Sequence, residues 1–246
     1  MNRVGVIIQA RTGSRRLPGK VLLPLAGVSV VKHVLHRALS MKRATVVCLA
    51  TSDLPSDDPV ADSARDFGVH TTRGSESDVL ARYLQAAQEI EADLVVRITS
   101  DCPLIDPVVC DSLIEFLTLR RLEFASVNHA NNWPHGLDCE VFTRELLEQC
   151  ARSSMAAEER EHVTPWMYGA GHGKAGAMRG SDAAALNYRW VVDYPQDYDY
   201  LSRLFEYLPR FPALIGWEEV RRIADAHPEL DALNAKWRVD PRNTGG

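Results

Sequence analysis

The chain has no Cys-x-x-Cys pair, no apolar run long enough to span a bilayer and no surplus of basic residues. Each absence excludes a class of protein. Its five cysteines, Cys48, Cys102, Cys110, Cys139 and Cys150, are scattered and odd in number. That argues against a zinc ribbon or a disulfide framework and reads as reduced thiols in a cytoplasmic protein. With neither a signal peptide nor a spanning segment, the expectation is a soluble chain with no membrane partner. Lysine and arginine number 28 against 33 acidic residues, a formal charge of −5. A general nucleic-acid binder needs a basic face to neutralise phosphates, so nucleic acid is not expected as a partner.

Two nucleotide motifs are also missing. No Gly-x-Gly-x-x-Gly follows the first apolar run, which excludes the usual dinucleotide fingerprint. A Walker phosphate loop fails as well, because five residues separate Gly13 from Gly19 and Val21 stands where a magnesium-binding hydroxyl is required. Internal repeats and low-complexity linkers are lacking too. The 246 residues suffice for a single α/β domain with a substantial core.

What is present is a local concentration of cations. The apolar run Val4-Gly5-Val6-Ile7-Ile8 has the continuous hydrophobicity of a strand buried on both faces. It leads into Gln9-Ala10-Arg11-Thr12-Gly13-Ser14-Arg15-Arg16-Leu17-Pro18-Gly19-Lys20, three arginines and a lysine on one short loop. Ligands of open α/β sheets bind outside the carboxyl ends of the strands, and the natural guest here is a polyanion such as a nucleoside triphosphate. The arginines supply bidentate donors and the glycines permit close backbone approach. A solvated basic patch is the plain alternative.

Ser29 is placed to cap a helix carrying Val30, Val31, Val34, Leu35 and Ala38. A second strand is expected over Ala44 to Ala50, helices over Pro59 to Phe67 and Glu76 to Ile90, and a third strand over Leu94 to Ile98. Alternating strands and helices joined by short polar turns predict a parallel sheet with right-handed crossovers. The second half is less regular, with strands expected at Phe124 to Val127, Cys139 to Phe142, Ala175 to Met178 and Tyr188 to Val192. A mixed sheet with an antiparallel element fits that pattern. Trp217 to Trp237 reads as helical and Val239 to Gly246 as frayed.

Asp101 follows the third strand and Asp193 ends the run Tyr188-Arg189-Trp190-Val191-Val192, both at strand mouths. A carboxylate beside a triphosphate is useful only with magnesium between them, and magnesium commonly takes one or two protein carboxylates. Each aspartate is equally well placed to cap the next helix. His129, His135, Asp138, Cys139 and His162 match no standard zinc spacing. The segment from Asn128 to Glu140 reads instead as a loop closing over an acceptor, with Asp138 and Glu140 bonding its hydroxyls. His162 either faces the same pocket or packs and caps. Trp166, Tyr168, Trp190 and Tyr200 read as core or interface aromatics.

The first loop resembles the signature of the cytidylyltransferases that make CMP-activated sugar acids, including CMP-Kdo and CMP-sialic acid synthetases. The branch of the spore coat polysaccharide biosynthesis protein F is more similar still. Supporting blocks are Arg73-Gly74-Ser75-Glu76-Ser77-Asp78-Val79-Leu80-Ala81-Arg82-Tyr83, Arg97-Ile98-Thr99-Ser100-Asp101-Cys102-Pro103-Leu104-Ile105-Asp106-Pro107, Gly136-Leu137-Asp138-Cys139-Glu140-Val141-Phe142, Glu161-His162-Val163-Thr164-Pro165 and Arg189-Trp190-Val191-Val192-Asp193-Tyr194-Pro195. CMP-Kdo synthetases carry Gly-Asp-Glu-Pro where this chain has Ser100-Asp101-Cys102-Pro103, so its metal pattern is similar to the Kdo type.

The resemblance implies a Rossmann-like nucleotidyltransferase fold, a mixed, mostly parallel sheet flanked by helices. It would divide into a nucleotide half over about 1–127, an acceptor and metal half over about 128–215 and a helical region over 216–246. It implies a cytoplasmic, dimeric enzyme that moves CMP from CTP to a sugar acid with release of pyrophosphate, for surface polysaccharide synthesis. Arg11, Ser14, Arg15 and Lys20 would hold the triphosphate, with Ala10, Thr12 and Gly13 of the same loop around the nucleotide. Asp101 and Asp193 would bind Mg2+, and Arg11, Lys20 and the two aspartates would carry the catalysis. Thr99 and Ser100 would lie near nucleotide and sugar, Thr51, Ser52, Ser75 and Asp78 are candidates for base and ribose, and Asp138, Glu140 and His162 for the acceptor. A nucleotidyltransferase acting on a sugar phosphate with another triphosphate, and a non-catalytic nucleotide-binding regulator, are the alternatives.

Overall fold

The computed structural model describes residues 2–169 and 171–238, without the side chains of His129 and Tyr168. The expected frayed end from Val239 to Gly246 lies outside the described residues. In chain order the elements are β1 (Val4–Gln9), a small hairpin of β2 (Pro24–Leu25) and β3 (Val28–Ser29), α1 (Val30–Leu39), β4 (Val46–Ser52), α2 (Asp58–Arg65), β5 (His70–Gly74), α3 (Val79–Glu89) and β6 (Leu94–Thr99). There follow α4 (Pro107–Arg120), β7 (Phe124–Val127), β8 (Cys139–Thr143), α5 (Arg144–Ser153), α6 (Ala157–His162), β9 (Ala175–Ala177), α7 (Pro195–Tyr207), α8 (Trp217–Asp225) and α9 (Asp231–Asn234).

The main sheet runs β5-β4-β1-β6-β8-β7-β9. Its first four strands are parallel, and β8 pairs antiparallel with both β6 and β7. The mixed sheet expected from the sequence is therefore present. In register, Gln9 sits opposite Ala50 on one side and Thr99 on the other. The chain segments leaving β1, β4 and β6 thus emerge along one sheet edge.

Strand side chains alternate between two helical layers. Val6 and Ile8 pack with Val31, Val34 and Leu35 of α1 and with Leu113 of α4, while Ile7 packs with Val79, Leu80 and Tyr83 of α3. A third cluster joins Trp190, Val192, Tyr200 and Leu204 to Leu25 of the hairpin. All five cysteines are free and buried, Cys48 and Cys102 among them.

Five expectations need correction. Tyr188 to Val192 forms no strand; it is an extended segment with a single bridge between Arg189 and His135. Gly136, at φ 111°, explains the close approach, since a Cβ there would lie 2.6 Å from the carbonyl carbon of Trp190. The helix of Trp217 to Trp237 is broken after Asp225, because Pro228 cannot continue it and opens a 3-10 turn over Pro228–Leu230. Strand β4 begins and ends two residues later than expected, at Val46 and Ser52. Helix α3 starts only at Val79, where the Asp78 carboxylate accepts the Ala81 N–H (2.9 Å). Ser29 does sit before α1, yet its hydroxyl makes no cap bond.

Candidate active site

The basic loop begins where β1 stops. Thr12 turns it back on itself, its carbonyl accepting the N–H groups of Ser14 (2.8 Å) and Gly19 (3.0 Å). Gly19 has φ 68°, a left-handed value that any side chain makes costly, and it admits the 3-10 turn Lys20–Leu22. Its role is conformational. Thr12 donates both its N–H (2.7 Å) and its hydroxyl (2.6 Å) to Asp57, whose other oxygen accepts from the Ser52 hydroxyl. Burial pushes the Asp57 carboxyl up, but the bonds from Ser52 and Thr12 outweigh it and hold the group below the usual carboxylate range. The buried anion therefore pins the loop to the end of β4.

Lys20 folds inward between the two aspartates. Its ammonium lies 2.7 Å from Asp101 Oδ2 and 3.2 Å from Asp193 Oδ1. Burial alone would raise the Asp101 carboxyl; the adjacent ammonium reverses this and brings it down to about 2. Burial alone would lower the Lys20 ammonium, but the pair of carboxylates raises it overall. Neither aspartate caps a helix. The N-terminus of α4 is capped by Asp106, which accepts from Val108 (2.8 Å), and at α7 the capping position is Tyr194, whose N–H donates to Asp197 one turn on (3.0 Å).

Asp193 reaches this position because the extended segment is tied at both ends. The Trp190 N–H donates to His135 O and the Val192 N–H to Asp101 O (2.8 Å). Behind it, Arg189 makes a bidentate pair with Asp197 (2.8 and 2.9 Å) and donates to His135 Nδ1 (2.9 Å). Asp197 is fully buried and also accepts the N–H groups of Asp193 (3.2 Å) and Tyr194 (3.0 Å). Arg16, from the basic loop, adds a contact of 2.8 Å to Asp193 Oδ2.

These groups open onto a cleft of about 700 Å³, within the range of small-molecule sites. Ala10, Arg11, Gly13, Ser14, Arg15, Lys20, Thr99, Ser100, Asp101, His162 and Asp193 line it. Thr12, Thr51, Ser52, Ser75, Asp78, Asp138 and Glu140 do not belong to its lining. Thr12 and Ser52 hold Asp57, and Thr51 is fully buried. Ser75 accepts the Asp78 N–H (3.1 Å), while Asp78 pairs with Arg160 at 2.6 Å and caps α3. Asp138 accepts the Gly136 N–H (2.7 Å). Glu140, expected to bind hydroxyls of an acceptor, instead pairs with Arg97 (2.6 Å) and accepts from Thr164 (2.9 Å) inside the fold.

His162 is presented by an unusual backbone. Val163 has φ 71° and ψ −56°, and the Thr164 N–H closes a three-residue turn onto His162 O (2.8 Å). A β-branched residue there is strained and persists only where its surroundings over-determine it. The buried Val163 side chain and the Thr164–Glu140 bond supply that constraint.

Sequence reading counts Arg16 among the loop's phosphate-binding arginines but misses its contact with Asp193, and it assigns no site role to Asp57, Glu76, Arg82, Glu161 or Asp197. Glu76, Arg82 and Glu161 line the cleft, and Glu161 pairs with Arg11 at 3.1 Å. Only Asp197 left a readable sign, four residues from Asp193 at a helix start marked by Pro195.

A mostly parallel α/β sheet, a basic loop after its first strand and two carboxylates meeting at a lysine define an enzyme of the nucleotidyltransferase class. Residues 5–204 match the sequence profile of the family described as cytidylyltransferase, and the chain belongs to that family. It is 30% identical over 244 residues to the spore coat polysaccharide biosynthesis protein SpsF of Bacillus subtilis, covering 94% of this chain and all of that one. It is 32% identical over 179 residues to a 3-deoxy-manno-octulosonate cytidylyltransferase of an Anaeromyxobacter species, covering 66% of this chain and 71% of the other. A solved cytidylyltransferase from Leptospira borgpetersenii superposes with a TM-score of 0.88 at 30% identity, over 94% of this chain and 97% of that chain.

Proposed function

We propose that the enzyme transfers CMP from CTP to a hydroxyl of a sugar acid and releases pyrophosphate. The observation that carries this reading is the convergence of Lys20, Asp101 and Asp193 at the mouth of a cleft rimmed by Arg11, Arg15 and Arg16. Cytidine as the base and a sugar acid as the acceptor draw support from the 3-deoxy-manno-octulosonate cytidylyltransferase relative. The names of SpsF and of the Leptospira protein fit the same chemistry.

The donor set also fits a divalent cation such as Mg2+. Among the described residues no three histidine, cysteine or acidic side chains converge as a closed metal cage. Two carboxylates at an open cleft instead suit an ion that takes its remaining ligands from phosphate oxygens and water. When bound by Asp101 and Asp193, such an ion would neutralise charge on the phosphates and on the attacking oxygen.

The protein's own part is positioning and electrostatics. Arg11, Arg15, Arg16 and Lys20 neutralise the triphosphate and favour departure of pyrophosphate. Asp57 fixes the loop that carries them. Asp197 and Arg189 fix the backbone that delivers Asp193. Thr99 and Ser100, next to Asp101, and His162 also line the cleft and in this reading lie near the nucleotide and the acceptor. An acceptor oxygen attacks the α-phosphorus in line with the leaving pyrophosphate, and the protein forms no covalent intermediate.

Pyrophosphate release measured with each nucleoside triphosphate, with and without Mg2+, across a panel of sugar acids and sugar phosphates tests this directly. CTP with a sugar acid is expected to give the largest signal. Preference for another triphosphate with a sugar phosphate would replace the reading with a sugar-phosphate nucleotidyltransferase. Stoichiometric binding without release across the panel would favour a non-catalytic binder.

A further inference from the structure

Every oxygen that Asp101 and Asp193 turn toward Lys20 and the basic loop already holds a protein cation. Lys20 Nζ takes Asp101 Oδ2 at 2.7 Å and Asp193 Oδ1 at 3.2 Å. Arg16 takes Asp193 Oδ2 at 2.8 Å, with Arg189 3.8 Å from the same atom. The remaining Asp101 oxygen faces the Cys102 thiol (3.7 Å). Lys20 is 9% exposed, so this is a buried bridge whose charges are poorly screened by solvent.

A divalent cation and the Lys20 ammonium compete for the same two carboxylates. Displacing Lys20 alone would strand a buried ammonium without an anion, which is strongly unfavourable. A polyphosphate removes that penalty, because its oxygens accept from Lys20 and Arg16 as those side chains leave the aspartates. The arginines Arg11 and Arg15 stand on the same loop to receive the rest of the chain of phosphates.

We infer that Lys20 is the residue that makes divalent-cation binding conditional on a bound polyphosphate. The site then takes the cation only together with the phosphates and discriminates against the free ion. This rests on the proposed role of Asp101 and Asp193 as cation ligands, but on neither the base nor the acceptor. It also fixes an order, in which phosphate engagement precedes or accompanies cation entry.

The experiment is Mn2+ binding to the full chain, followed by electron paramagnetic resonance and water-proton relaxation. Wild type, Lys20→Met and Lys20→Arg are compared with Mn2+ alone, then with inorganic tripolyphosphate, then with CTP. With Mn2+ alone, Lys20→Met is expected to bind at least about tenfold more tightly than wild type, since one charge has left a pair of carboxylates. Lys20→Arg keeps a cation and is expected to stay as weak as wild type. For wild type, tripolyphosphate is expected to bring protein-bound Mn2+ into view. Equal Mn2+ affinity of wild type and Lys20→Met would overturn the inference. So would wild-type binding that tripolyphosphate leaves unchanged, an outcome readable even if the Met variant does not fold. Tripolyphosphate gating in a protein that releases no pyrophosphate from CTP with any acceptor would uphold the role of Lys20 while sinking the cytidylyl reading.

Discussion

Replacing Asp197 by asparagine removes one charge from a buried pair and leaves the other. Asp197 is fully buried and Arg189 is 3% exposed, so neither group can turn to water. Breaking such a pair on one side costs about 3–5 kcal/mol, mostly because the surviving charge is stranded. At roughly 2–4 °C per kcal/mol for a chain of this size, the melting temperature should fall by about 6–20 °C. The same change weakens the acceptor of the Asp193 and Tyr194 N–H groups. Turnover should therefore drop even at temperatures where the variant is fully folded. Differential scanning calorimetry gives the stability, and pyrophosphate release at 15–20 °C below the variant's own midpoint, roughly, separates activity from unfolding. The double variant Arg189→Met/Asp197→Leu should recover part of the stability, as paired apolar replacement does not strand a charge, without recovering activity. A single variant that melts within about 2 °C of wild type would refute the argument.

Further outcomes follow from the same geometry. Asp101→Asn is expected to lower turnover by about 10²–10³-fold, the order of a lost electrostatic element, with an unchanged circular dichroism spectrum; activity near wild type would remove Asp101 from the chemistry. Asp101 sits at about 2 in the folded protein against about 3.9 when unfolded. Its contribution is therefore present above about pH 4 and fades as pH falls toward 2. Lys20, raised when folded, contributes below its unfolded value and loses that contribution only at strongly alkaline pH. The urea midpoints of wild type and Asp101→Asn should accordingly converge between about pH 4 and pH 2; a constant gap across that window contradicts the pairing. Gly136→Ala puts a Cβ 2.6 Å from Trp190 and forces φ 111° on a substituted residue. Backbone strain alone costs roughly 1–3 kcal/mol, and the displaced 188–193 segment should carry Asp193 out of place. Wild-type stability and activity together would count against that packing. Burial pushes the Cys48 thiol up to about 11, and all five cysteines are buried, so a thiol reagent at neutral pH should label none before unfolding.

The strands β1, β4 and β6 were legible because they are short continuous apolar runs, whereas the polar strand β5 (His70–Gly74), whose end reads as a turn, and helix α4 (Pro107–Arg120), which lacks a single apolar stripe, were not. Val4 to Gln9 and Leu94 to Thr99 stand almost where the hydrophobic pattern puts them. The Tyr188 to Val192 run misled because the same apolar continuity also suits an extended segment buried by a loop. Only Gly136, in a distant part of the chain, allows that burial. The meeting of Lys20, Asp101 and Asp193 depends on tertiary contacts, 81 and 173 residues apart in sequence for the two lysine bonds, and no local pattern encodes it. The same holds for Asp57, whose place beneath the basic loop follows from the pairing of β1 with β4. Glu140, read with Asp138 as the end of a loop over the acceptor, instead lies at the start of strand β8, where the register sets it opposite its partner Arg97 of β6, a tertiary contact that no local pattern shows.

The central claim is that the bond broken lies between the α- and β-phosphorus of CTP. CTP labelled at the α-phosphorus or at the γ-phosphorus, incubated with the enzyme, Mg2+ and the sugar acid that releases most pyrophosphate, reads this out directly. The expectation is that the α-label appears in the sugar product while the γ-label leaves as pyrophosphate. Transfer of the γ-label to the acceptor, or α-label remaining wholly in CTP while the acceptor is consumed, would contradict it.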